Sequence, residues 1–371
     1  MPGADTLAAT RTARALVLEA AGRLVEHEIP LPELRDGEAI LLVEACGLCG
    51  SDHEYFTGDM PAALPLVPGH EVVGRIDSAT PTFLAGRGLA VGDRVALEVF
   101  QSCGTCTACQ QGNQPLCRTH GMADSYGNTP LGTGSGLWGG YASHLVLTAD
   151  AVVHRVPAGL DPVTATLFNP LGAGVRWGVT IPGISEGDVV AVLGPGIRGL
   201  CAASAALAAG ARYVLLTGAG AGDAARLEHG RALGVTRTVD VLAEDAKALL
   251  KADVGGLADV VVDVTAAAPS AFMQAIGLAR PGGTVVIAGT RGTHRVTDFD
   301  PDKIVLKELR VLGARGVDSA AYASALDLLT RDGRLAALPR VAVPLDAEAV
   351  SALLVRMSSG ADRPLHAVVV P

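Results

Sequence analysis

The chain has 371 residues, long enough for two domains with full cores. A net charge of −9 and only 4% aromatic residues exclude the basic face and stacking platforms that a nucleic-acid partner requires. With 49% hydrophobic and 18% charged residues, the composition is that of a packed protein, neither disordered nor fibrous.

No uninterrupted run approaches the ~18 apolar residues of a membrane span. The nearest, Cys201 to Ala211, is alanine-rich and reads as a buried helix. Met1 to Arg14 carries two arginines and no continuous apolar core, so it is not read as a signal peptide. The seven cysteines therefore point to a cytoplasmic chain that binds metal and does not form disulfides.

Residues 15–46 carry short strand patterns at Ala15–Leu18, Arg23–Val25 and Glu38–Glu44, punctuated by Pro30, Pro32 and Gly37. Cys49-Gly50-Ser51-Asp52 then offers a thiolate, a hydroxyl and a carboxylate within four residues. Pro68-Gly69-His70-Glu71 adds an imidazole and a second carboxylate. These are zinc-ligand types, and a catalytic zinc keeps one position open. Some twenty residues separate the two pieces, so only a fold brings them together. Strand patterns continue over 67–78 and 88–99, with Gly92-Asp93 as a turn into Arg94–Leu97. Frequent turns between short strands predict a small barrel-like β domain.

Cys103, Cys106, Cys109 and Cys117 follow on a loop rich in Gly, Gln and Asn. Four thiolates at this spacing form a closed, structural zinc site. A zinc ribbon on nucleic acid is excluded by the lack of basic residues around it. Residues 119–137 form a long polar loop, and Trp138–Ala142 is read as a return to strand.

From about residue 170 the pattern changes. Asp188–Leu193 is a continuous apolar strand, as in a sheet buried on both faces. It runs into Gly194-Pro-Gly196-Ile197-Arg198-Gly199 and an alanine-rich helix ending near Ala209. Strand, G-x-G-x-x-G and helix together are a dinucleotide fingerprint, whose glycines let the backbone approach a pyrophosphate. Strands at Tyr213–Leu216, 259–264, Thr284–Ala288 and 308–313 alternate with helices at 224–233 and 270–279. This alternation predicts a doubly wound parallel sheet. The tail holds a helix at 319–331 and a strand ending in Ala367–Val370.

In this order, the Cys/His site, the four-cysteine lobe and the dinucleotide fold resemble the zinc-containing medium-chain alcohol dehydrogenase/reductase family over nearly the whole chain. Gly69-His70-Glu71-Val-Val-Gly74, Gly92-Asp-Arg-Val95 and Gly139-Gly-Tyr-Ala142 carry the same resemblance. The resemblance implies a GroES-like catalytic domain over 1–170, with its structural zinc lobe at 100–118. It further implies a Rossmann domain over 171–313 and a segment over 314–371 that rejoins the first domain. A cleft between the domains would take a small alcohol or carbonyl substrate, NAD or NADP, and a catalytic zinc beside the structural one. Cys49 and His70 would ligate that zinc, Ser51 would start a proton relay, Asp52 would orient a ligand imidazole, and Glu71 would ligate zinc or exchange on and off it. Family precedent also implies a homodimer or homotetramer, with the strand near 308–313 as a subunit contact.

Three departures leave alternatives open. The family's remaining zinc ligand is usually Cys, Asp or Glu at the position of Asn169, and an amide is a poor zinc ligand. Either Glu71 supplies the missing ligand, or Asn169 binds weakly, or the site holds no metal and the enzyme works without it. The relay histidine expected two residues past Asp52 is replaced by Glu54, with His53 beside it. The acidic residue that usually ends the second Rossmann strand gives way to Thr217-Gly218-Ala-Gly-Ala-Gly222. Without it NAD and NADP both stay open, with Gly218 at the nucleotide and Arg226 free to meet a 2′-phosphate. Arg198 is also unusual, and faces the pyrophosphate, an anionic substrate or solvent.

Tyr55, Phe56, Trp138 and Tyr141 line a substrate pocket or pack in the core. Cys46 and Cys201 read as packed residues. His27, His120, His144, His154, His229, His294 and His366 read as structural or exposed. A protein that bound nucleotide without turnover would need none of Cys49, Ser51, His70 and Glu71, so an oxidoreductase is the expected function.

Overall fold

The apolar run Val189–Leu193 is the third strand of a six-stranded parallel sheet in the computed structural model, which describes residues 11–122, 124–266, 268–292, 294–359 and 363–371. Residues 1–10, most of the stretch read above for a signal sequence, lie outside the described set. All five side chains of Val189–Leu193 are 0–1% exposed, with alternate residues feeding the cores on opposite faces of the sheet. That is why the strand reads as continuous and not alternating.

The strand order across the sheet is Arg237–Asp240, Tyr213–Gly218, Val189–Leu193, Ala258–Asp263, Ala279–Ile287 and Arg310–Gly313. The order reverses direction between the first strand in the chain and the fourth, which opens a crevice at their carboxyl ends. The expected doubly wound sheet is thus present. Strand Arg237–Asp240 and helix Ala246–Val254 were not read from the sequence. The strand has one strong apolar residue, Val239, and forms the sheet's edge.

A second, mainly antiparallel sheet runs Arg340–Pro344, His366–Val370, Ala39–Leu48, Glu71–Ala79, Arg94–Leu97 and Val153–Arg155, with His144–Leu147 also paired to Ala39–Leu48. Beside it, Thr12–Ala20 and Arg23–Pro30 form a hairpin. The strand expected from residue 67 begins only at Glu71. Pro68 lacks a donor, and Gly69 has φ +93°, outside any strand.

Trp138–Ala142 is not a strand, apart from a single bridge from Ala142 to Ala15; the strand starts at His144. The backbone there lies flat on another segment. The Gly140 and Tyr141 N–H groups go to the Gly69 and Pro68 carbonyls at 2.8 and 3.0 Å, and a Cβ on Gly139 would fall 2.0 Å from the Val67 carbonyl oxygen, so only glycine allows this approach.

The tail joins both units. Helix Ser319–Arg331 packs on helix Phe168–Val175, with the Phe168 and Tyr322 ring centroids 5.2 Å apart. Arg340–Pro344 then enters the second sheet through His366–Val370, which pairs antiparallel with Ala39–Leu48. No helix among the described residues is long and apolar enough to cross a membrane.

Candidate active site

Strand pairing brings the two sequence pieces together. Gly47 pairs with Glu71 and Cys46 with Val72 across an antiparallel ladder, so Cys49 and His70 lie at the same end of adjacent strands. Cys49 caps helix Gly50–Thr57. The buried Asp52 carboxylate ties the pieces to each other: Oδ2 accepts the Cys49 N–H at 2.8 Å and Oδ1 the Gly69 N–H at 3.3 Å. Oδ1 also stands 3.8 Å from His70 Nδ1, on the side that would orient the ring, although too far for a direct bond. Position 69 must be glycine, because φ is +93° and a Cβ would meet Tyr141 Cδ1 at 2.5 Å.

Cys49, His70 and Glu71 are all buried, and one donor atom from each lies within 4.8 Å of the others. Tetrahedral zinc bonds of 2.0–2.3 Å place donors roughly 3.3–3.8 Å apart, so a small inward shift suits a metal. His70 Nδ1 and Glu71 Oε2 are buried without a hydrogen-bond partner, a debt that coordination and a tightened contact to Asp52 would settle. Burial pushes the Cys49 thiol up, but Arg198 and His70 outweigh it and lower it to about 6. Burial depresses His70, yet Asp52 and Cys49 raise it to about 9. Burial and then the charge on Cys49 raise Glu71 to about 8. The donor set is thus a thiolate, an imidazolium and a protonated carboxyl, and a bound cation would displace the protons of the last two.

Asn169 is buried in the same wall, and its amide nitrogen donates to the Tyr322 hydroxyl at 3.1 Å. His366 was read as structural or exposed. It is buried beside Glu71, with Nδ1 4.0 Å from Oε2 and Nε2 3.0 Å from the Thr166 hydroxyl. Burial holds its imidazole down to about 3, so it is neutral. Its sequence neighbours gave no signal, because Glu71 and Thr166 reach it only through the fold.

The glycine turn faces the same cleft. Gly196 caps helix Ile197–Ala208, and a Cβ on Gly199 would lie 1.8 Å from the Gly194 carbonyl oxygen, so helix and strand end touch there. Arg198 leaves this turn and donates from Nη2 to Cys49 Sγ at 3.1 Å, with Glu71 Oε1 3.6 Å away. Gly218 ends strand Tyr213–Gly218. Beyond it, Asp223 accepts the Ala219 N–H at 2.9 Å and pairs with Arg226 at 3.5 Å.

A cleft of about 600 Å³ connects these parts, lined by Cys49, Ser51, His70, Glu71, Asn169, Gly196, Ile197, Arg198 and Arg226. Of the four aromatic candidates, Tyr55 lines it, while Phe56, Trp138 and Tyr141 sit in the core of the second sheet. Phe100, Trp177 and Tyr322 line it instead. Glu54 faces the cleft; His53 turns away to Ser358 Oγ at 2.8 Å.

The Cys103, Cys106, Cys109 and Cys117 sulfurs also lie within 4.8 Å of one another. The Cys103–Cys109 separation is 3.9 Å, against about 3.8 Å for the edge of a ZnS₄ tetrahedron with 2.3 Å bonds. The Cys106 N–H points at Cys103 Sγ at 3.4 Å, as expected of a thiolate acceptor. The residues fit a closed structural zinc.

Residues 35–158 match the model of the alcohol dehydrogenase GroES-like domain, and 199–331 that of the zinc-binding dehydrogenase domain. A protein of Mycobacterium tuberculosis named "Probable alcohol dehydrogenase adh" is 54% identical over 363 residues, 96% of this chain and 98% of that protein. The sorbitol dehydrogenase of Halalkalibacterium halodurans is 32% identical over 83% of this chain and 85% of its own. Among solved structures, a zinc-binding dehydrogenase of Sinorhizobium meliloti bound to NADP superposes with a TM-score of 0.81 at 29% identity, over 97% of this chain and all of that one. An alcohol dehydrogenase of Thermotoga maritima superposes at 0.86 and 25% identity, over the same shares.

Proposed function

The chain belongs to the zinc-containing medium-chain alcohol dehydrogenase family and is an NAD(P)-dependent zinc alcohol oxidoreductase, and on that premise we propose which residues run the reaction. Cys49, His70 and Glu71 hold the catalytic zinc, and Cys103, Cys106, Cys109 and Cys117 the structural one. The observation that carries this is the approach of the Cys49–His70–Glu71 cluster to the nucleotide turn, measured by the 3.1 Å contact from Arg198 to Cys49.

A zinc held by Cys49, His70 and Glu71 would supply Lewis acidity that makes an alcohol hydroxyl easier to deprotonate, and NAD(P) held at the glycine turn would supply the hydride acceptor. The chain's own residues do the rest. Gly194, Gly196, Ile197 and Gly199 hold the pyrophosphate at a helix N-terminus, while Gly218 and Arg226 meet the adenosine ribose. Ser51 lines the cleft and takes the hydroxyl proton toward solvent by way of Glu54, since His53 is engaged with Ser358. Asp52 fixes the Cys49 and His70 segments, and the Asn169 amide positions Tyr322 instead of ligating metal.

Residues 1–170 and 314–371 form the catalytic unit around the nucleotide-binding unit 171–313. The protein acts in the cytoplasm as a homodimer or homotetramer. Its substrate is a small alcohol or the matching carbonyl. Relatives named for sorbitol and L-threonine, at 32% and 29% identity, handle a polyol and a hydroxy amino acid, sizes that the cleft admits.

One observation favours a second reading: Arg198 already stands as a cation between Cys49 and Glu71, an arrangement that a dehydrogenase with only the structural zinc could keep. Metal analysis decides between them. Two zincs per chain, falling to one in Cys49→Ser and Glu71→Gln but not in Asn169→Ala, support the three-ligand site. One zinc in the wild type, with turnover intact, supports the second reading. A cofactor-absorbance assay over alcohols with NAD and NADP tests the reaction itself.

A further inference from the structure

Arg198 sends its guanidinium inward to the cleft. About a third of the side chain is exposed there, and the group stacks over the Trp177 ring at 5.4 Å. Its two nearest acidic neighbours, Cys49 and Glu71, are the same groups that form the metal cluster. A dication held by that thiolate and carboxylate would take up their charge, and the guanidinium would then face the cleft with the Trp177 ring beside it and no ion-pair partner. No other carboxylate is in ion-pair contact with it among the described residues, and Glu54 only feels its charge from further along the cleft wall. Asp52 is committed to the Cys49 and Gly69 amides, and Asp223 is paired with Arg226. Among the described residues, Glu54 and Glu71 are the only acidic side chains lining the cleft, against Arg198, Arg226, Arg315 and Arg363.

A cation left in this position, at the junction of metal cluster and nucleotide turn, lies beside the place where the reacting carbon must sit. Cofactor and substrate strip it of water as they bind, and an unpaired charge in such a place is costly. We propose that the substrate itself supplies the counter-ion: it is an alcohol bearing a carboxylate or phosphate close to the carbinol, held by the planar fork of Arg198. This deepens the oxidoreductase reading and rests on it. The specificity-determining residue is Arg198, and the substrate class shifts from neutral alcohols to small oxyanionic ones. A guanidinium suits this task because its parallel N–H donors match both oxyanions.

The test uses the zinc-loaded protein saturated with NAD or NADP. Calorimetry compares lactate with lactamide and glycerol 3-phosphate with glycerol, each pair sharing its hydroxyl. At least one oxyanion is expected to bind roughly ten- to a hundredfold tighter than its neutral partner, the weight of a hydrogen bond to a charged group. The tighter pair tells carboxylate from phosphate. Arg198→Gln abolishes the preference and Arg198→Lys keeps part of it, with zinc content and melting temperature showing that both variants are folded and loaded.

Equal or undetectable binding of both members of both pairs overturns the proposal. A preference that survives Arg198→Gln overturns it too, since the anion would then sit on the metal. So does a loss of cofactor affinity with the preference intact, which would assign Arg198 to the pyrophosphate. These binding pairs report on Arg198 whether or not turnover occurs. Failure of the oxidoreductase reading would instead appear as no cofactor reduction with any alcohol, charged or neutral.

Discussion

Two glycines three residues apart in the nucleotide turn make different predictions. A Cβ on Gly199 falls 1.8 Å from the Gly194 carbonyl oxygen, so helix and strand end must part by about 1.6 Å to reach an ordinary contact of 3.4 Å. Overpacking of this kind costs about 2–3 kcal/mol, and the better helix propensity of alanine returns about 1 kcal/mol. Gly199→Ala is therefore expected to lose about 1–2 kcal/mol and a few degrees of melting temperature. Gly196 has φ −66° and ψ 173°, open to any residue, and nothing lies within 4 Å of its Cβ position. Gly196→Ala gives up at most about 1 kcal/mol as a poorer helix cap. Its methyl nevertheless projects into the space where a pyrophosphate would meet the helix N-terminus. Fluorescence titration with NADH and NADPH should show affinity weakened at least about tenfold. A Gly196→Ala protein that melts like the wild type and binds both nucleotides unchanged would refute the assignment of the turn to the cofactor.

Arg226→Ala should lower kcat/KM for NADP about tenfold and leave NAD within about twofold, because only NADP has a 2′-phosphate to meet the guanidinium beside Asp223. Steady-state kinetics with both cofactors checks this, and an equal loss with both would refute it. The edge strand Arg310–Gly313 is flanked by exposed Val305 and Leu306 and carries Val311. If this edge is the subunit contact, Leu306→Asp halves the mass found by light scattering. His120 bridges Asp124 and Asp150; burial depresses its imidazole, but the two carboxylates prevail and raise it. A raised folded value means that its stabilising share is full below the unfolded value and is lost as pH rises through the folded one. The melting-temperature gap between wild type and His120→Asn should therefore shrink with rising pH, and a gap that widened would contradict the bridge.

The parts of the fold legible in the sequence were those in which one physical cause acts locally. Val189–Leu193 announced its burial on both faces by being wholly apolar, and the glycine turn after it by spacing. The four cysteines declared their site because their ligands share one short loop. Failures came where a distant segment decides. Trp138–Ala142 looked like a strand, yet Gly139 and Gly140 lie against the Val67–Pro68 backbone and Cys46. His366 looked idle because Glu71 and Thr166 are hundreds of residues away in the chain.

Asn169 and Arg198 look like unrelated departures in the sequence, one on a helix of the cleft wall and one on the nucleotide turn. In space they are one change. Where related enzymes are expected to place an anion, position 169 is neutral, and position 198 adds a cation 3.1 Å from Cys49. Together they move the cleft two charge units toward positive without altering its thiolate and imidazole. As the proposed third donor beside Cys49 and His70, Glu71 would absorb part of this. What it cannot absorb is the guanidinium left over once metal occupies the cluster, since a single carboxylate does not fully neutralise both. A cleft altered in this direction disfavours no alcohol by shape, yet it favours one that arrives with its own negative charge.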